Sequence, residues 1–368
     1  MAYEVDFIGV GSSVKKDADA IAIRWKDNND MYHIGIYDGG LQAHGEKMVE
    51  HIKKYYFEGN NDTYIDFIIC SHSDSDHTSG LKYVIENMNV KALYMNRPWL
   101  YAEDIIEDVN IELTDGRITA NSLEERLRAK YKYVCELENI AEEKGIPIYT
   151  IFQGDVIENA FTVLSPTKEL YLQLMVESEK TPLKEVESEI NVSESFFRKA
   201  YEYIKSLIET WKKEELKEEV ITTAENEMSV ILLGQMVEEN IIFTGDGGIR
   251  ALRASIDYSE SIGVSIKDTV KFIQIPHHGG RHNVSPSVLN SLIGEIVEEG
   301  EESKKVAFVS VAKDSDHPLQ MVVNAFTRRG VKVYKTNGNI IHHQKNMPDR
   351  EGWTTLKKLD FSSNVEEW

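Results

Sequence analysis

Ser71-His72-Ser73-Asp74-Ser75-Asp76-His77-Thr78-Ser79-Gly80 follows directly on the mostly apolar run of residues 65–70. Two imidazoles and two carboxylates fall within six residues, at the point where a buried-type strand opens into a polar loop. Borderline divalent metals such as zinc, manganese or iron accept this mixed nitrogen and oxygen set. Alternate positions of a loop can face one pocket, so His72 and Asp74 suit one ion and Asp76 and His77 a second. A calcium loop starting at Asp74 does not fit: its sixth position is Ser79 rather than Gly, and its twelfth is Ile85 rather than Glu. Downstream, residues 81–88 have the pattern of a helix and 92–95 that of a strand. Strand, polar loop, helix, strand is the order of a layered α/β protein.

Working outward, the same layout recurs twice. Ile241-Ile242-Phe243-Thr244-Gly245 leads into Asp246, and Phe272-Ile273-Gln274-Ile275-Pro276 leads into His277-His278. A carboxylate has two oxygens and can serve two ions. Ligand sites of layered α/β proteins gather where strand ends open into loops. Three apolar strands that each end in potential ligands make one composite metal site the simplest reading. Upstream, residues 3–10, 20–25 and 32–37 read as strands, the last running into Asp38-Gly39-Gly40, and 46–56 reads as an amphipathic helix. Residues 99–145 have a helical pattern, and short strands are expected at 148–152 and 161–164. Residues 167–219 are dense in Glu and Lys, with Phe196, Phe197, Tyr201, Ile204, Leu207, Ile208 and Trp211 at helical spacing; this predicts the packing face of a helical insertion. Strands are expected at 228–233, 270–275 and 306–311, and helices near 249–255 and 319–328. Residues 331–334 and 339–343 are expected to close the chain as paired strands.

The motifs, in their order, resemble the metallo-β-lactamase superfamily, and within it the branch containing the hydrolase domain of the competence protein ComEC. The likeness rests on Ile36-Tyr37-Asp38-Gly39-Gly40, the His72–His77 motif, Asn226-Glu227-Met228-Ser229-Val230, Phe243-Thr244-Gly245-Asp246, Pro276-His277-His278-Gly279-Gly280 and His317-Pro318. The superfamily's common signature has His where this chain has Asp74, and that variant is typical of the competence-type branch. The resemblance implies an α/β architecture with the metallo-β-lactamase fold, an αββα sandwich of two mixed β-sheets with helices outside. It implies residues 1–100 and 223–345 as the two halves of that fold, 101–222 as a connecting region with the insertion at about 167–222, and 346–368 as a C-terminal tail. It also implies two divalent metal ions, zinc or manganese: His72 and Asp74 on one, Asp76 and His77 on the other, Asp246 bridging, and one of His277 and His278, preferably His278, completing the second site. The general pattern has a further His between the first motif and the bridging Asp. Here none lies between His77 and His277, so the first site is expected to be less complete.

The activity implied is metal-dependent hydrolysis, with a phosphodiesterase acting on nucleic acid or a nucleotide-like ester as the leading reading. A lactone or thioester hydrolase, or a non-catalytic scaffold binding a partner or a second copy through the insertion, are the alternatives. Asp74, Asp76, Asp246 and His317 are the expected catalytic residues, His317 as proton donor or phosphate contact. Asp38 is expected to support the site, and Lys313 to be a weaker phosphate contact. His33, His44, His51, His282, His342 and His343 have no motif around them and are expected to be structural or exposed.

Composition bounds the substrate. The 368 residues carry 41 Lys and Arg against 62 Asp and Glu, a formal charge of −21. Such a surface repels long polyanions, whereas a local metal centre attracts a short phosphate-bearing substrate. At 41% hydrophobic residues the chain can build a core, which excludes wholesale disorder. Two cysteines, Cys70 and Cys135, supply neither a disulfide framework nor a cysteine-based zinc site, and both are expected to stay reduced. No apolar run approaches ~20 residues and no signal-peptide pattern opens the chain, so a cytoplasmic protein without membrane contact is expected.

Overall fold

A computed structural model describes residues 2–57, 63–112, 117–181, 206–236 and 239–368. Its frame is a pair of seven-stranded mixed sheets lying face to face. The first contains β1 (Tyr3–Phe7), β2 (Ala20–Lys26), β3 (Tyr32–Gly39), β4 (Phe67–Ile69), β5 (Leu93–Tyr94) and β6 (Ile148–Tyr149). The second contains β7 (Val156–Ile157), β8 (Phe161–Ser165), β9 (Ile231–Gln235), β10 (Asn240–Phe243), β11 (Val270–Gln274), β12 (Val306–Val309) and β13 (Lys332–Lys335). A last strand, β14 (Ile341–Lys345), returns to the first sheet. The orders are β14-β1-β2-β3-β4-β5-β6 and β13-β12-β11-β10-β9-β8-β7. In each sheet an antiparallel portion gives way to four strands in parallel: β3 to β6 in the first, β10 to β13 in the second.

Side-chain alternation builds four layers from these two sheets. Tyr3, Val5, Phe7, Ile21, Ile23, Trp25 and Phe67 project from the first sheet toward Phe161, Leu232, Phe243, Phe272 and Phe308 of the second, and all are buried. The intervening residues Ala20, Ala22, Ile34, Ile36 and Ile68 face outward under a helical layer. That layer includes α1 (Gln42–Tyr55), α2 (Ser75–Asn87), α3 (Ala102–Glu112), α4 (Ala120–Lys130), α5 (Lys132–Glu143) and α6 (Lys168–Glu177). On the far side, Ile231, Leu233, Ile242, Ile273, Ala307 and Val309 pack under α7 (Ile249–Ser261), α8 (Pro286–Ile293) and α9 (Gln320–Thr327). Burial on both faces is why the central strands read as near-continuous apolar runs. The result is the αββα sandwich of two mixed sheets expected from the sequence.

Two expectations need correcting. The last two strands do not pair with each other: β13 runs parallel to β12 in the second sheet, whereas β14 runs antiparallel to β1 in the first. The Asn337-Gly338 turn between them, with both residues at positive φ, carries the chain across the sandwich instead of closing a hairpin. Nor is the aromatic stripe helical throughout, because Ser206–Ile208 is a strand paired with Asn364–Glu366. Phe196, Phe197, Tyr201 and Ile204 lie outside the described residues. The tail is woven into the molecule: Arg350 pairs with buried Glu4 and Asp6, and the Trp368 indole donates to Glu215 O at 2.7 Å.

Candidate metal centre

The C-terminal ends of β3, β4, β10, β11 and β12 open at one edge of the sandwich, where antiparallel β2 begins. Every residue of the site hangs from one of these ends or from the lead into β2. Asp38 sits at the end of β3 with φ 60°, a left-handed conformation that turns its carboxylate back toward the next loop. It accepts from Ser71 N at 2.7 Å, Ser71 Oγ at 2.5 Å and His77 Nδ1 at 2.7 Å. After β4 the chain passes through His72 and Asp74 into α2, whose first turn carries Asp76 and His77. Asp246 follows β10, anchored by its N–H to Ser229 Oγ at 3.1 Å and by Asn283 Nδ2 on its carbonyl at 2.7 Å. His277 and His278 follow β11 as successive non-glycine residues at φ 47° and 55°. Backbone in this region is uncommon, and here it sends the two neighbouring rings to different parts of the site.

All four rings are oriented in the same way. His77 Nδ1–H donates to Asp38, and His278 Nδ1–H to Ser310 O at 2.9 Å. His277 Nδ1 lies 2.9 Å from Asn283 Oδ1, which the amide's donation to Asp246 O leaves as the acceptor. His72 Nδ1 lies 3.0 Å from Ser71 Oγ, a hydroxyl whose own proton goes to Asp38. Each Nδ1 is thereby committed, and each Nε2 is left to face the cluster.

Those Nε2 atoms converge on carboxylates. His77 Nε2 is 3.2 Å from Asp246 Oδ1, while His72 Nε2 and His277 Nε2 are each 3.7 Å from Asp246 Oδ2. His72 Nε2 also approaches Asp74 Oδ2 at 3.9 Å, and His278 Nε2 approaches Asp76 Oδ2 at 3.9 Å. Two donor groups thus share Asp246: His72, Asp74 and His277 on one oxygen, Asp76, His77 and His278 on the side of the other. The sequence expectation placed one of the adjacent histidines on the second group. The structure divides the pair, and His277 stands where the first group lacked a histidine.

Charge and burial show what this arrangement suits. Burial opposes ionisation of Asp246, yet His77 and His277 hold its carboxyl well below the usual range. Burial pulls His77 down, but Asp246 and Asp38 hold it well above an ordinary imidazole. His72 is pushed down by burial and by His77. Buried Nε2 atoms of His72, His77 and His278 and Oδ1 of Asp246 make no hydrogen bond. Unpartnered polar atoms are costly in a protein interior, and a cluster aimed at one point is the donor set of a divalent cation. The residues fit the metal that the sequence implies.

One member was missed. Asp19, at the lead into β2, brings its carboxylate to the second group, and one ligand atom each of Asp19, His77, Asp246 and His278 lie within 4.8 Å of one another. A single Asp between alanines, remote from every motif, carries no sequence signal. His317 stands apart from the cluster, its Nδ1 2.9 Å from Asp17 Oδ2. Asp17 also accepts from Ala312 N and Ser315 Oγ, fastening the two loops. These loops, with Lys15, Lys16 and Lys313, line an open cavity of about 510 Å³. Lys16 Nζ reaches Asp76 Oδ2 at 3.3 Å, so the cavity adjoins the cluster. On the opposite flank Lys180 Nζ holds Asp74 Oδ1 at 2.5 Å and Ser73 Oγ at 3.1 Å. Cys70 and Cys135 are free thiols.

Solved structures to which the chain is similar include a long-form RNase Z from yeast, 11% identical with a TM-score of 0.38, covering 92% of this chain and 41% of that one. A diphosphatase of the PhnP family is 9% identical with a TM-score of 0.37, covering 94% and 98%. The metallo-β-lactamase SMB-1 is 7% identical with a TM-score of 0.32, covering 78% and 86%. The chain spans only 41% of the RNase Z, and scores of this size decide nothing about activity. No family model matches the chain, and no curated protein does. Among the described residues no helix is long and apolar enough to cross a membrane.

Proposed function

We propose that this protein is a metal-dependent hydrolase holding two divalent ions, zinc or manganese, and that its substrate is a phosphodiester, either a short nucleic acid or a nucleotide-like ester. The observation that carries this reading is the convergence of four imidazoles, each with Nδ1 committed elsewhere, on the two oxygens of Asp246. His72, Asp74, Asp246 and His277 would hold one ion, and Asp76, His77, Asp246 and His278 the other. Bound divalent ions supply acidified water near neutral pH and a positive field for charge developing on a phosphoryl oxygen.

The remaining parts belong to the chain's own residues. Asp38 and Ser310 fix the rings of His77 and His278, so neither turns away when substrate enters. Asp17 fixes the Nδ1 of His317 and leaves its Nε2 to give a proton to a leaving oxygen. Lys15, Lys16 and Lys313 surround the same cavity and supply counter-charge for a phosphate. The competence-type variant, Asp74 in place of His, favours a phosphodiester over a lactone or thioester. The net charge of −21 favours a short substrate over a long one, and the cytoplasm is the compartment that fits two free thiols. Whether the insertion binds a second copy or a partner rests on residues 182–205, outside those described.

The test is metal analysis followed by a substrate panel in manganese and in zinc: single- and double-stranded DNA, RNA, linear and cyclic dinucleotides, a lactone and a thioester. Turnover of short phosphodiesters, lost in Asp246→Ala, is expected. A purified protein that binds no divalent metal, or an Asp246→Ala variant of undiminished activity, would sink the enzyme reading. Rapid cutting of long DNA at moderate salt would overturn the short-substrate preference.

A further inference from the structure

Asp19 is buried with its carboxylate unsatisfied. Its residue is only 1% exposed, and neither carboxylate oxygen has a hydrogen-bond partner. The Ser310 hydroxyl stands beside it but does not reach hydrogen-bond geometry. The nearby imidazoles offer it no proton: His278 Nδ1, 3.9 Å from Asp19 Oδ2, is committed to Ser310 O, and His77 Nδ1 to Asp38. Nor can the carboxylate swing away. Asp19 N–H donates to Asp76 O at 3.1 Å, Asp17 is fastened to residues 312–317, and Ala20 is already paired with Gly39 in the sheet. A buried carboxylate without donors needs a positive charge beside it; Lys16 and Lys180 are turned to Asp76 and Asp74, and the imidazoles of His77 and His278 face Asp19 without a hydrogen bond to it.

From this geometry we infer that Asp19 is a fifth ligand of the second ion, making the two metal positions chemically unequal. The inference rests on the two-metal reading above. The second position then has three carboxylates, Asp19, Asp76 and Asp246, with His77 and His278. Five ligands rich in oxygen suit an ion tolerant of octahedral coordination, such as manganese. The first position has two imidazoles and two carboxylates, and Lys180 already neutralises part of Asp74. Four mixed ligands suit tetrahedral zinc. Greater ligand number and greater negative charge make the second position the one that fills first.

Calorimetric titration of the metal-free full chain with manganese, and separately with zinc, tests this, with manganese electron paramagnetic resonance reading the environment of the first equivalent. Two steps are expected in the wild type, separated at least about 10-fold in affinity. Removing an outer partner of a metal site costs about 10–100-fold, so Asp19→Asn, which loses a ligand, should weaken the tight step at least about 100-fold. The weak step should move little. Asp74→Asn should do the reverse. Thermal melts separate a ligand from a packing role: Asn removes a buried uncompensated charge, so the metal-free variant should melt higher than wild type, while the rise on adding manganese shrinks. Asp19→Ser provides the same comparison should Asn perturb folding. Unchanged tight binding in either variant, or a metal-free melt lowered in both, overturns the assignment of Asp19 and leaves the two-metal reading standing. A wild type that takes up neither metal overturns both.

Discussion

At the residue scale, the site is a set of side chains whose tautomers and charges are decided by their neighbours. Asp38 illustrates this: it accepts from Ser71 and His77 and so orients two rings, one directly and one through a hydroxyl. Asp38→Ala should leave the fold intact yet lower metal affinity by about 10–100-fold, measurable by competition with a chromophoric chelator. The Asp17–His317 pair makes a sharper prediction. His317→Ala and Asp17→Asn should each reduce kcat on a dinucleotide by about 10²–10⁴-fold, the usual contribution of a positioned acid. Both should leave turnover of a nitrophenyl phosphodiester nearly unchanged, because that leaving group needs no proton. Equal losses on the two substrates would remove His317 from the proton-donor role. That the side chains of the His72–His77 motif come together was legible in the sequence because spacing within one loop is local information. Asp19 and the division of labour between His277 and His278 were not. The first depends on which strand begins beside the cluster, and the second on two left-handed backbone positions that no residue type announces.

At the scale of elements, the site depends on how closely α2 approaches the first sheet. Gly80, one turn beyond His77, donates its N–H to Gly40 O at 2.8 Å, and a Cβ there would lie 1.9 Å from Gly39 O. A Cβ at Gly45 of α1 would lie 2.2 Å from Gly80 O. Backbone meets backbone on both sides of Gly80, so nothing flexible can yield. Gly80→Ala should cost about 3 kcal/mol or more in denaturant unfolding. It should also weaken metal binding, since the displaced turn carries Asp76 and His77. A stability within 1 kcal/mol of wild type would show that the helix is not pinned there. The core strands were legible at this scale because burial on both faces makes them uniformly apolar. The aromatic stripe misled because periodicity reports apolar spacing without saying what it packs on, and Leu207 and Ile208 belong to a strand completed by the distant residues 364–366.

At the scale of the whole molecule, buried histidines outside the donor set of the cluster set an acid limit. His343 stacks on Phe272 with ring centroids 4.8 Å apart, and burial pushes its pKa down to about 4; burial does the same to His44. Between pH 6.5 and about 4 the unfolded chain binds protons that the folded one refuses, so their stabilising contribution is complete above pH 6.5 and lost as the pH falls toward 4. His77 and His278, with pKa values raised in the metal-free fold, bind more protons folded than unfolded around pH 6.5 and above, so they oppose this trend near pH 6.5 and cease to as the pH falls further. Urea unfolding of the metal-free protein should weaken between pH 6.5 and 5 by up to about 1.4 kcal/mol per pH unit for each such histidine. His343→Leu should flatten that dependence by one residue's share, and an unaltered slope would count against its burial as the cause.

The pairing of β14 with β1, from Tyr3 against Lys345 to Phe7 against Ile341, bears on how the chain is made as well as how it stands. Phe7 and its neighbours reach their final place only when residues more than 330 positions later have left the ribosome. Until then the edge of β1 is an unpaired, apolar template, the kind of surface on which nascent chains join one another. A contact spanning nearly the whole sequence also carries the full entropy of closing that loop, so the first sheet should be completed late and slowly. Arg350 then locks the seam by pairing with Glu4 and Asp6. The side chains of the cluster come from both halves of the sandwich, so neither half, released alone, would carry all of them.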